Sequence, residues 1–149
     1  MNNSPWPQNS DILRLSNRSD RCTVLGPGIR AVLWVQGCPL RCEGCIAPEA
    51  QSFSGGTEIQ VSVLSKELLG LSDIEGITFS GGEPMAQASA LCNLIDQIRS
   101  KRDLSFLCYS GYTLEYFREN GNPAQHALVD RLDILIDGPY IQSRHTNQR

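Results

Sequence analysis

Three cysteines fall within eight positions, Cys38, Cys42 and Cys45, in the spacing Cys-x3-Cys-x2-Cys. Cysteines so close along one loop suit metal ligation better than disulfide formation. Thiolates are the usual protein ligands of an iron–sulfur cubane. Three thiolates on four irons leave one iron open to a small molecule that binds through nitrogen and oxygen. The short spacing lets a single loop wrap three corners of a cube, and Gly37, Pro39 and Gly44 supply the bends. The competing reading is a zinc site completed by His126 or His145. Zinc sites commonly present paired knuckles, whereas this chain has one triplet, so a [4Fe–4S] cluster on Cys38, Cys42 and Cys45 is the better fit. His126 and His145 read as surface residues. Cys22, Cys92 and Cys108 are scattered and read as small buried hydrophobes.

A second segment with chemical potential is Ser80-Gly81-Gly82-Glu83-Pro84. Two glycines let backbone approach a ligand closely. Turn and strand-edge backbone groups can hold a charged amino-acid moiety. Glu83 could instead fix the loop by accepting backbone hydrogen bonds. Ser110-Gly111-Tyr112 reads either as a sugar-lining turn or as a plain turn before a helix, and Asp137 precedes a Gly-Pro pair.

The elements that would carry these segments alternate. Residues 1–11, rich in Asn, Ser and Pro, read as a flexible arm, and 12–149 as one domain. Short strands are expected at 12–15 and 22–25, then a buried strand over Arg30–Gln36. Residues 37–56 form a loop held by something other than a core. Apolar residues at Val61, Leu64, Leu68 and Leu71 predict a helix. Strand 76–80, helix 86–99, strand 104–109, helix 114–119 and strand 132–136 follow, the last helix stopping at Gly121 and Pro123. Strand, loop and helix in repetition imply parallel βαβ units in an α/β fold. Ligand sites in such sheets lie beyond the C-terminal strand ends. The cysteine loop, Gly81–Pro84, Ser110–Tyr112 and Asp137 all follow strands.

Composition narrows the class. The 149 residues are 40% hydrophobic and 19% charged, with a net charge of −3 and a pI of about 5.3. That lacks the basic footprint of a nucleic-acid binder. The longest apolar run, Ala31–Val35, is far too short to cross a bilayer. The N-terminus has no apolar core of the secretory kind, so a cytoplasmic protein with reduced thiols is expected.

Cys38-x3-Cys42-x2-Cys45 is the signature of the radical S-adenosylmethionine superfamily. The wider segment, from Gly26-Pro27-Gly28-Ile29-Arg30 through Gln36-Gly37-Cys38-Pro39-Leu40-Arg41-Cys42-Glu43-Gly44-Cys45, resembles the glycyl-radical-enzyme activases, in particular those of anaerobic ribonucleotide reductase. Ser80–Pro84, Ser110–Tyr112 and Asp133-x3-Asp137-Gly138-Pro139 match that group as well, so the resemblance covers about residues 12–149. It implies a partial (β/α) barrel or open parallel sheet, shorter than a full TIM barrel. It implies a [4Fe–4S] cluster and S-adenosylmethionine as cofactors, with reductive cleavage to a 5′-deoxyadenosyl radical. By the same resemblance, Ser80–Pro84 contacts the methionine amino group, Gly44 offers only backbone to the adenine, and Ser110, Gly111 and Asp137 lie near the cofactor. Pro139 stands where some activases carry a lysine. The implied partners are a glycyl radical enzyme and an external reductant such as flavodoxin or ferredoxin. A radical enzyme acting on a peptide or small molecule, or an electron carrier with four protein ligands, is the alternative. Activases continue beyond a segment like 144–149 with another strand, so either a short sheet or a missing C-terminal piece is expected.

Overall fold

The computed structural model of the chain describes residues 9–40, 44–45 and 48–138. Among the described residues one six-stranded sheet carries the fold: β1 (Ile12–Cys22), β2 (Arg30–Val35), β3 (Thr57–Gln60), β4 (Gly76–Gly81), β5 (Ser105–Tyr109) and β6 (Ile134–Ile136), in the order β3-β1-β2-β4-β5-β6. Strands β2, β4, β5 and β6 run parallel. Strand β1 pairs antiparallel with β2, and β3 antiparallel with β1. The sheet is open and mixed, so the expected α/β architecture holds, with two antiparallel strands added to a parallel core. The helices are α1 (Val61–Leu69), α2 (Ala88–Arg99), α3 (Leu114–Asn120) and α4 (Pro123–Arg131).

Three local expectations need correction. The strand expected at 12–15 continues through a polar stretch to Cys22, 11 residues in all, held by pairing with β2, and 23–25, expected as strand, follow it as a bend. Strand β3 lies at the end of the stretch after the cysteine loop and is mostly exposed. Asn122-Pro123 starts a helix and does not merely end one. The Asn122 side chain accepts from the Gln125 N–H and the Gln125 side chain from the Asn122 N–H, a capping box with Pro123 in the first turn.

Side-chain alternation splits the sheet into two faces. Leu33, Val35, Ile77, Phe79, Phe106 and Cys108 point to the helix side, into one core with Leu64 and Leu68 of α1, Leu91, Leu94, Ile95 and Ile98 of α2, Phe117 and Leu128. The Phe79 and Phe106 rings stack at 6.1 Å. The opposite face is built in transverse rows. The first row is Cys22, Arg30, Gly76 and Ser105, at the N-terminal ends of the parallel strands. The second is Val32, Thr78, Leu107 and Ile134. The third is Asn17, Trp34, Ser80, Tyr109 and Ile136.

Arg30 closes the first row. Its Nε–H donates to Thr78 Oγ1 at 2.8 Å, Nη1 to Pro27 O and Ser105 Oγ, and Nη2 to Ile77 O and Ser105 O. All five N–H donors of the buried guanidinium are thus met. A Cβ at Gly76 would run into that guanidinium, so the glycine makes room for the clip. The Gly26–Arg30 segment therefore serves to seal the end of the sheet away from the cysteines.

Candidate active site

The third row is the floor of a cavity of about 860 Å3 at the C-terminal ends of the parallel strands. Asn17, Trp34, Ser80, Tyr109 and Ile136, one residue from each of five strands, lie on it. Ser16 joins them because a bulge between Leu15 and Asn17 shifts the register of β1, and its hydroxyl donates to Trp34 O at 3.2 Å. Leu25 and Val24 from the segment after β1 form another part of the wall. Sequence reasoning did not single out this row. Side chains of RAVLWV, GITFS and LSFLCY point alternately to the two faces, and the row becomes a surface only once the strand register is known.

The expected site residues converge on this cavity. Cys38 and Cys45 line it together with Ser80, Gly81, Gly82, Glu83, Ser110, Gly111 and Asp137. Cys42 lies outside the described residues, as does His145. Gly44 has a φ of 71° beside Cys45 and is not on the cavity wall. Pro84 is buried in the short 3-10 turn that precedes α2, also off the wall. His126 is exposed, with Nε2 2.6 Å from Phe117 O, and sits on α4 away from the cavity. Cys92 is half-buried beside Ala124 O and Cys108 is wholly buried in the core.

Backbone hydrogen bonds hold the cysteine loop to the sheet. Gly37 N–H donates to Ala50 O at 2.7 Å and Cys38 N–H to Gln51 O at 3.0 Å. The loop after β4 interlocks with it: Gly82 N–H donates to Val35 O and Glu83 N–H to Gly37 O. The two glycines are needed for this interlock. A Cβ on Gly81, whose φ is 99°, would sit 2.6 Å from Val35 N. One on Gly82 would meet Gly37 O and lie 2.8 Å from Ala50 O.

Glu83 fixes the loop, as one of its two sequence readings had it. Its carboxylate is 1% exposed. Oε2 accepts from Met85 N–H at 3.1 Å and from the Ser110 hydroxyl at 2.9 Å, and Oε1 from Gly111 N–H at 2.8 Å. It thereby ties the loop after β4 to the turn after β5. That turn is joined to the end of β6 in the same way: Ser110 N–H donates to Ile136 O, Gly138 N–H to Tyr112 O, and Asp137 Oδ2 accepts from Leu114 N–H at 2.7 Å. Four strand-end loops thus form one hydrogen-bonded rim.

Burial raises the Glu83 carboxyl to about 7, against the three hydrogen bonds it accepts, which favour the anion. Between about pH 4.5 and 7 the folded chain holds a proton that the unfolded chain has released. This group's contribution to stability therefore falls as pH rises through that window and is level above it. Relative to Glu83→Gln, the cluster-free wild type is expected to lose on the order of 3 kcal/mol from pH 4.5 to above 7. Urea midpoints at pH 5 and pH 7.5 check this, and parallel pH profiles for the two proteins would refute it.

The donor set fits an iron–sulfur cluster. Two thiols of the triplet reach the same cavity as backbone-rich loops that suit an amino acid and a nucleoside. No helix among the described residues is long and apolar enough to cross a membrane. The family model for a 4Fe-4S single cluster domain matches residues 24–149. The anaerobic ribonucleoside-triphosphate reductase-activating protein of Vibrio cholerae is 33% identical over 128 residues, covering 81% of this chain and 80% of the relative. The protein of that name from Enterobacteria phage T4 is 29% identical, covering 84% and 80%. The pyruvate formate-lyase-activating enzyme of Clostridium pasteurianum is 32% identical over 77% of this chain, which spans 50% of that longer relative. The chain belongs to the 4Fe-4S single cluster family, as a radical S-adenosylmethionine enzyme of the glycyl-radical-enzyme activase type.

Proposed function

We propose that this chain installs a glycyl radical on an anaerobic ribonucleoside-triphosphate reductase, using residues 12–149 as its radical S-adenosylmethionine domain and 1–11 as an arm. The observation that carries the reading is the convergence of Cys38 and Cys45 with the Ser80–Glu83 and Ser110–Gly111 loops on one cavity. Cys38, Cys42 and Cys45 would hold a [4Fe–4S] cluster as its three thiolate ligands. When bound, the cluster and S-adenosylmethionine supply a one-electron reductive cleavage that yields a 5′-deoxyadenosyl radical.

The chain's own residues bind, orient and exclude water. The edges of Gly81 and Gly82 offer backbone groups to the methionine end of the cofactor. Ser110 and Gly111, braced by Glu83, and Asp137 shape the nucleoside end. Gly44 gives backbone only. Trp34, Tyr109 and Ile136 provide an apolar floor that keeps solvent from a reactive radical. The cavity opens at the strand ends, where a protein-sized substrate can cover it. A cytoplasmic location and an external one-electron donor such as flavodoxin or ferredoxin complete the reading.

Mixing the reconstituted chain, a strong reductant and S-adenosylmethionine with an anaerobic ribonucleoside-triphosphate reductase tests this. The expected result is a glycine-centred doublet in the paramagnetic resonance spectrum that needs all the components. Cofactor cleavage without any doublet would contradict it and favour a peptide or small-molecule substrate.

A further inference from the structure

Gln36 directly follows β2 and is 2% exposed. Its side-chain amide donates two hydrogen bonds, to Glu49 O at 3.1 Å and to Ser52 O at 2.5 Å. Both acceptors lie on the segment that returns after Cys45. The same segment wraps the Gln36 side chain so closely that a Cβ on Gly55 would lie 2.9 Å from its Nε2. One on Gly56 would lie 2.8 Å from its Cβ. The backbone of Gln36 is anchored from the other side. Its N–H donates to Arg14 O, and its carbonyl accepts from Gln87 Nε2 at 3.1 Å. Gln87 in turn pairs with both backbone groups of Arg14, its Oε1 accepting from the N–H and its Nε2 donating to the carbonyl, each at 2.8 Å.

We infer that Gln36 is a positioning residue for the cluster: it ties the segment after the third cysteine to the end of β2 and so fixes the Cys45 side of the loop relative to Cys38. This rests on the function proposed above. Outer contacts that orient ligands govern both metal retention and the electronic state of the metal. Gln36→Glu keeps the shape but replaces two amide donors with a carboxyl that donates once when protonated and only accepts when ionised, so at least one of the two hydrogen bonds is lost.

The test compares reconstituted wild type, Gln36→Glu and Ile98→Ala, a core change on α2 that lowers stability without touching the loop. Iron release to a ferrous chelator and the reduced-state paramagnetic resonance spectrum are recorded, with thermal melting of the cluster-free proteins. Gln36→Glu is expected to lose iron roughly tenfold or more faster than the other two. Its spectrum should also be altered, while its melting temperature falls no further than that of Ile98→Ala. Iron loss no faster than in Ile98→Ala, or an unchanged spectrum, would overturn the inference. Should Gln36→Glu not fold, Gln36→Met takes its place in the same comparison. Failure of both to fold would make Gln36 a fold residue and also overturn it. Absence of a cluster in the wild type would instead sink the proposed function, so the two failures are distinguishable.

Discussion

Replacing Cys38, Cys42 or Cys45 with alanine is expected to remove the cluster and with it all cofactor cleavage. Wild-type protein reconstituted without oxygen should hold close to four irons and four sulfides per chain, as a cubane requires. Each of the three variants should hold almost none, because two thiolates on one loop do not retain a cubane against exchange. Cys92→Ala and Cys108→Ala should keep it. Cys92 sits on α2 with its thiol against Ala124 O of α4, and Cys108 is sealed in the core, where burial raises its thiol well above the ordinary range and keeps it protonated. Iron and sulfide analysis with a 5′-deoxyadenosine assay makes the measurement. Stoichiometric zinc without sulfide in the wild type would refute the cluster, as would full retention in any of the three alanine variants.

The second large effect is expected at Gly81. Gly81→Val must adopt a φ near 99°, which a β-branched residue strongly resists, and must place a Cβ within 2.7 Å of the Trp34 and Val35 backbone. Strain and overpacking together cost about 3 kcal/mol or more. For a domain of this size that lowers the melting temperature by about 10 °C. Because β2 leads straight into the cysteine loop, cleavage should fall by about a hundredfold or more through misplacement alone. Thermal melting of cluster-free protein beside the cleavage assay separates two causes. A variant that melts like wild type yet does not cleave would mean that Gly81 makes space for the ligand and not for β2, against the packing seen here.

That distinction also shows what could be read from residue order. The Gly81-Gly82 pair was legible as a close backbone approach, but what approaches it is the chain itself, a fact that needs the β2–β4 pairing. The cysteine loop and the turns at Ser110 and Asp137 were legible because each follows an apolar run, and the parallel strands bring all of these ends to one side. Strands β2, β4 and β5 were legible as short apolar runs, buried on both faces, and helices α1 and α2 because their buried residues recur every three to four positions. The polar half of β1 was not, since Ser16–Arg21 has no alternation and is extended only because β2 lies beside it. Helix α4 was hidden by Asn122-Pro123, a pair that signals a stop and a start equally well. Gln36 and Gln87 were invisible as a unit: their partners are 13 to 73 residues away, and nothing local marks a glutamine as a tie between loop and sheet.

The most direct measurement is the paramagnetic resonance spectrum of the reduced, fully reconstituted protein before and after S-adenosylmethionine is added. An iron left without a protein ligand by Cys38, Cys42 and Cys45 predicts a clear change in the spectrum, because the cofactor's amino and carboxylate groups can then coordinate that iron. An unchanged spectrum at saturating S-adenosylmethionine, in protein with its full iron and sulfide, would mean that all four irons already have protein ligands and would contradict the radical chemistry at its root.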